Sequence, residues 1–267
     1  MHKSRLQPST QLSEAEWLLK RLHSFSEHRV TSVVPAGFPA YIRILHPAYA
    51  LSGEPLTWAE IAVRSGRTMH RLVQFHAVAA GSSSGPLRGS VENISPPDNG
   101  NLAPDLLSAL CEVLSAHTDA EHSCWFCLWD GYGWLHDEPS VADLVFAVPG
   151  DSLPDPTSSV PSQVPADVLQ AAKLTLPFRN YLLLQGPLDA ALELGWNLTP
   201  NDFVPQSPNL FWPQDHAWCV ASEIDLFCTL VAGSEALAET LIADPRFEAL
   251  PVSPDDPITY NSDQINT

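Results

Sequence analysis

Residues 217–225, AWCVASEID, alternate small and bulky side chains with a period of two, a pattern that fits a strand and leaves no continuous helical face. Ala217, Cys219, Ala221, Glu223 and Asp225 fall on one side, and Trp218, Val220, Ser222 and Ile224 on the other. One flank is therefore narrow and ends in two acids, which suits close approach by a helix or a ligand. If the strand runs through both acids, Glu223 and Asp225 stand roughly 7 Å apart. A second apolar run at 227–232 leads through Gly233 to Ser234. The Ser234 hydroxyl is suited to accept a backbone N–H at a helix start, where Glu235 also meets the positive end of the dipole. The predicted helix buries Leu237, Leu241 and Ile242 and ends at Asp244-Pro245, because proline disfavours helical geometry in the residue before it. With a last short strand at 250–252, this region predicts an α+β fold, helices packed on a mixed or antiparallel sheet.

The remainder adds elements to the same class. Ser13 with Glu16 forms a capping-box pattern for a helix with Trp17, Leu18, Leu22 and Phe25 on its apolar stripe, and Thr57 with Glu60 forms another, stopped by Gly66. Tyr41, Ile42, Ile44 and Leu45 read as a strand closed by His46-Pro47, and residues 67–80 read as a helix with Met69, Leu72, Val73 and His76 on one face. Residues 103–117 form a helix with Pro104 in its first turn. In SCWFCLWDGYGW, residues 123–134, both strand faces are apolar, predicting a central strand, with Tyr132 and Trp134 returning after a turn at Asp130-Gly131. Strands at 174–176 and 180–184 precede a helix through Leu188, Ala191, Leu192 and Leu194 that Gly195 ends. Residues 81–89 read as a flexible connector, 95–104 as a turn-rich segment, 147–165 as a surface loop or disordered insertion, 199–208 as a Pro-rich loop and 253–267 as a loose tail.

Charge divides the chain where the connector falls. Residues 1–90 hold ten Lys/Arg and five Asp/Glu, a net +5, whereas residues 91–267 hold three and twenty-six, a net −23. The expected organisation is a basic, helix-rich part at 1–90 and an acidic α+β part at 91–267, or one continuous domain of both. The acidic part repels nucleic acid and attracts basic proteins or cations. Arg64, Arg67, Arg71 and Arg88 are the basic cluster a nucleic-acid reading would need, set in an otherwise acidic protein, so nucleic acid is not the expected partner. No apolar run approaches the roughly 20 residues of a membrane helix. MHKSRLQPST lacks the apolar core of a secretion signal, and the five cysteines lack disulfide-framework spacing, so a reducing cytoplasm is expected.

Chemistry is sparse. Cys124 and Cys127 match C-x-x-C, but three residues apart on a strand their sulfurs point to opposite faces, which suits buried apolar cysteines better than a redox pair. His46, His70 and His76, or His117 and His122, lack ligand spacing for zinc, and no phosphate loop, nucleophile elbow or dinucleotide fingerprint occurs. No catalytic residue, metal or cofactor is assigned. The one constellation with a geometric reason is Glu223 and Asp225, with Asp215, His216, Trp212 and Trp218 near in sequence. Paired carboxylates beside aromatic platforms suit acid–base work, a divalent cation or a sugar-like ligand. The alternative is a strand end entering a turn, with solvated acids and core tryptophans.

Through AYIRILHPA, RTMHRLVQF, CWFCLWDGYGWL, NYLLLQGPLDAALELGW and NLFWPQDHAWCVASEID the chain resembles a widespread bacterial family of uncharacterised proteins. The resemblance implies no activity and carries over no site residue; it implies that the N- and C-terminal parts recur together. The functional expectation is a cytoplasmic interaction or binding protein whose acidic surface engages a basic partner, of regulatory or toxin-neutralising type. The competing expectation is a hydrolase or cation-dependent enzyme using Glu223 and Asp225, and a third is a structural subunit presenting an exposed aromatic patch.

Overall fold

A strand that is apolar on both faces must be covered from both sides, and two such strands lie near the middle of one sheet. The computed structural model describes residues 4–80, 94–136, 166–170, 172–177, 179–199 and 202–266. Its main sheet has nine strands: β1 (Gln7–Pro8), β2 (Ala40–Leu45), β3 (Cys124–Trp129), β4 (Leu174–Leu176), β5 (Arg179–Gly186), β6 (Leu210–Pro213), β7 (Cys219–Ala221), β8 (Cys228–Gly233) and β9 (Ala249–Val252). The order is β1-β5-β3-β6-β7-β8-β2-β9, with β4 also paired to β5, and each pairing is antiparallel. The fold is α+β. The sheet takes β2 from the basic N-terminal part between β8 and β9 of the acidic part.

One face of the sheet presents Ile42, Ile44, Phe126, Phe211, Val220 and Val231. They are buried beneath α4 (Pro104–Ser115), α5 (Glu235–Ala243) and the 3-10 turn Leu188–Glu193, which contribute Leu110, Leu114, Leu237 and Leu241. The other face is covered in two pieces. Trp125, Trp212, Cys219, Ala221 and Leu230 pack under α1 (Glu16–Arg21) and the turn Val30–Ser32 through Leu18, Val30 and Val34. Leu45 and Cys228 pack instead under α2 (Trp58–Ser65) and α3 (Phe75–Ala79). Trp125, Trp212, Trp218 and Trp58 are fully buried, and burying one large apolar side chain contributes about 1.5–3 kcal/mol.

Local signals hold where nothing tertiary competes. Thr57 and Glu60 cap α2 reciprocally and Gly66 closes it at φ 71°. Ser234 Oγ accepts from Leu237 N at 3.1 Å, but Ile242 is 47% exposed, so the α5 stripe is narrower than its sequence suggests. The Ser13 capping box does not form. Residues Leu12–Ala15 are a 3-10 turn, α1 stops at Arg21, and His23 N donates to Thr31 O at 2.8 Å, drawing the chain away from the helix path. The helix expected over 67–80 shrinks to Phe75–Ala79. Asp263 takes the Gln74 N–H and the His70 ring, and Asn266 accepts from Thr68 N, so bonds from the tail replace helical ones. That tail is accordingly not loose: Asp256, Ser262, Asp263 and Asn266 are buried.

The return strand expected at Tyr132 and Trp134 is instead a 3-10 turn, Gly133–Leu135, because β5 and β6 already occupy both edges of β3. The helix expected before Gly195 is also 3-10, and Gly195 opens a strand, Gly195–Thr199, that pairs with Asp202–Pro205, where a loop was expected. A three-stranded ribbon of Ala48–Ala50, Pro55–Leu56 and Ile94–Ser95 completes the described sheets. The connector expected at 81–89 and the insertion expected at 147–165 lie outside the described residues. Among the described residues no helix is long and apolar enough to cross a membrane.

Gly100 ties two layers together. At φ 59° its N–H donates to Leu226 O at 2.9 Å, and a Cβ there would lie 2.5 Å from Ile224 Cα. Gly100→Ala is expected to destabilise the fold by about 1–3 kcal/mol, read as a lower urea midpoint. An unchanged midpoint would show that the turn carrying Glu223 and Asp225 is not held by this contact.

Candidate functional site

The expected strand through 225 stops early. β7 ends at Ala221, and residues 223–226 form a turn in which Leu226 N donates to Glu223 O at 2.9 Å. Both faces of β7 are buried, so its narrow flank meets the sheet's own covering layer. The two acids nevertheless converge. Arg179, at the start of β5, places Nη2 2.7 Å from Glu223 Oε1 and 2.7 Å from Asp225 Oδ2. Its guanidinium also lies over the Trp129 ring, 5.3 Å from the centroid.

The acids differ in setting. Glu223 is 8% exposed and the Asp225 side chain 71%. Glu223 Oε2 accepts from Asp225 N at 2.7 Å, whereas Oε1 is sealed, with the ionic contact to Arg179 but no aligned hydrogen bond among the described residues. Burial raises the Glu223 pKa against the opposing pull of the Asp225 N–H and of Arg179. The associated stability is full below the ordinary carboxylate range and is lost as pH rises through the raised value.

Glu223 and Asp225 line a groove of about 360 Å³. It runs along the seam between the two clusters on the second face of the sheet. Phe25 and Val33 come from one side, Cys228 and Phe227 from the other, and Ile258 and Tyr260 of the docked tail also line it. Arg43 of β2 and Arg71 line it as well. Arg71 pairs with Asp256 at 3.0 Å, and His76 stacks on Tyr260 with centroids 3.5 Å apart. Neither arginine was singled out from sequence for this site. The available signal was an arginine at an inward position of an otherwise apolar strand.

The other expected site residues lie at the opposite end of the β6–β7 hairpin. Asp215 caps its turn, accepting from Thr118 Oγ1 at 2.7 Å, Asp119 N at 3.1 Å and Ala217 N at 3.0 Å, and these bonds lower its pKa against the opposing effect of burial. His216, at φ 55°, stacks on Trp17 with centroids 4.4 Å apart, and Trp17 meets Trp212 edge to face at 6.0 Å. Trp218 Nε1 donates to Leu114 O at 3.1 Å. Asp215, His216, Trp212 and Trp218 thus brace the hairpin turn and the core, and do not join the groove.

A histidine–hydroxyl chain that the sequence reading left unassembled lies on the first face. His46 Nδ1 is 2.7 Å from the Asp98 carbonyl and therefore donates, so Nε2 accepts from Thr229 Oγ1 at 2.9 Å, and Thr229 in turn accepts from Ser222 Oγ at 2.7 Å. The order suggests nucleophile activation, yet His46, Thr229 and Ser222 are all buried, and none lines the groove. Burial lowers the His46 pKa to about 4. All five cysteines are free and buried, with Cys124 and Cys127 on opposite faces, and burial raises Cys124 to about 12. Among the described residues no group of three or more His, Cys, Asp or Glu is placed to hold a metal ion.

Replacing Arg179 with alanine leaves Glu223 buried without its counter-charge, an expected loss of about 1–3 kcal/mol in urea unfolding. Glu223→Gln added to that variant is expected to recover part of it; no recovery would mean that the triad does not couple. For His46, a folded pKa of about 4 against an ordinary 6.5 means stability that is full above pH 6.5 and falls by about 3 kcal/mol as pH drops towards 4. Unfolding curves across that interval, compared with His46→Gln, test this. The same slope in both proteins would remove His46 as its source.

Comparison with known proteins finds no family model, no curated protein and no solved structure that matches this chain.

Proposed function

We propose that the protein is a cytoplasmic binding protein whose groove seats a basic segment of a partner protein, with a guanidinium or ammonium group held by the exposed carboxylate of Asp225, a residue whose backbone N–H is anchored by Glu223. One observation carries the reading. Two carboxylates of unlike exposure, one anchored and one open to solvent, already converge on a guanidinium at the edge of a preformed groove. Arg179 occupies that position as an internal stand-in for the partner's side chain. The net −23 of residues 91–267 supports the same partner, since a field of that sign steers a basic chain towards the groove. The proposed binding protein is of regulatory or toxin-neutralising type.

Acid–base chemistry at the same pair is the weaker reading. A raised Glu223 pKa suits a general acid. However, Oε2 is taken by Asp225 N–H and Oε1 faces Arg179, so neither oxygen is turned towards a substrate.

The test uses tetrapeptides with one arginine at each of the last three positions, against matched peptides with norleucine there. Binding to the full chain is expected to favour arginine at least tenfold, to weaken with added salt, and to lose that preference in the Glu223→Gln, Asp225→Asn double variant. Equal binding of arginine and norleucine peptides, or indifference to salt, would overturn the reading.

A further inference from the structure

Arg43 is the least expected side chain on the sheet. It sits on β2 between Tyr41, which packs in one cluster of the second face, and Leu45, which packs in the other, and it is 6% exposed. Nη1 donates to Val73 O at 2.7 Å and Arg71 O at 3.4 Å, and the guanidinium lies over the Trp58 ring, 5.5 Å from its centroid. Its charge has no counter-charge beside it among the described residues. Asp256 is engaged by Arg71, and Glu223 and Asp225 are engaged by Arg179. Nε and Nη2 make no hydrogen bond among the described residues and are not sealed from solvent, and Arg43 lines the groove.

A guanidinium does not deprotonate, so it cannot escape burial by becoming neutral, and an unpaired buried charge is costly. The unused edge, Nε with Nη2, is a pair of donors whose fork matches the two oxygens of a carboxylate. The sheet registers set Arg43 opposite Leu230, and Leu230 opposite Ala221. Ala221, two residues before Glu223, therefore lies two strands across from Arg43, roughly 10 Å between Cα atoms. The groove's lining offers both a cationic hold at Arg43 and an anionic hold at Asp225, in a volume suited to the end of a chain rather than a folded domain.

We propose that the groove recognises the C-terminus of a basic peptide: Arg43 takes the terminal carboxylate in a two-point contact while a long basic side chain close to that terminus reaches Asp225, beside the Glu223–Arg179 pair. This rests on the binding function proposed above and specifies which part of the partner is read. Bringing in the carboxylate supplies the missing counter-charge, so the site discriminates a free chain end from the same sequence inside a chain.

The arginine tetrapeptides are measured as free acids and as C-terminal amides against the unmodified full chain. Amidation is expected to weaken binding at least tenfold for the best peptide, and Arg43→Lys, which keeps the charge but not the fork, is expected to reduce that preference several-fold. The wild-type comparison stands even if the variant folds poorly. Equal binding of acids and amides overturns the proposal while leaving the basic-segment reading intact. Loss of the arginine preference, with acids still favoured over amides, overturns the basic-segment reading and with it the basic half of the proposal, leaving only the Arg43–carboxylate contact. Failure of every peptide in the set overturns both, as does binding of free arginine as tightly as the best tetrapeptide.

Discussion

Burial of β3 and β7 on both faces is the constraint from which the rest of the architecture follows. Once Phe126 and Val220 face one layer while Trp125, Cys219 and Ala221 face another, the sheet needs two separate covers. Helices α4 and α5 supply one from the acidic part. Residues 4–80 supply most of the other, and they also thread β2 into the sheet. The charge asymmetry between the two parts thus becomes a feature of a shared structure, with β2 of the basic part paired between two strands of the acidic part.

The second cover is made of two pieces, and the join between them shapes the groove. Leu18, Val30 and Val34 pack on one side of the seam and Trp58, Ile61 and Val78 on the other. Between them the sheet presents Arg43 where an apolar residue would have closed the gap. The C-terminal tail forms one wall, tied down by Asp256 to Arg71 and Asp263 to His70. Removing one partner of a buried pair leaves an uncompensated charge, so the largely buried Asp256 and Asp263 fix where the tail docks.

The groove's electrostatics are uneven in a way that bears on binding. At the Glu223 end two acids share one guanidinium, which leaves a residual negative charge. At the Arg43 end a guanidinium has no acid beside it among the described residues, which leaves a positive one. On the proposed binding function, such a groove would favour a ligand carrying both signs over one carrying either alone, since each unmatched end would stay desolvated.

The sequence by itself determined the elements whose stabilising contacts are local or periodic. The α+β class, the two-faced strand at 124–129, the Thr57 cap with its Gly66 stop and the Ser234 cap all follow from hydroxyl spacing, dipoles and side-chain alternation within a few residues. It also paired Glu223 with Asp225, although through a strand that in fact ends at Ala221. Only the tertiary structure decided that Arg179 stands between those acids, that Asp215, His216, Trp212 and Trp218 lie at the far end of the hairpin, and that Arg43 shares their groove. The physical reason is distance along the chain. Arg43, Arg179 and Glu223 meet through antiparallel registers, and a register depends on which strand neighbours which, a choice made by burial of the whole sheet rather than by any one stretch of it.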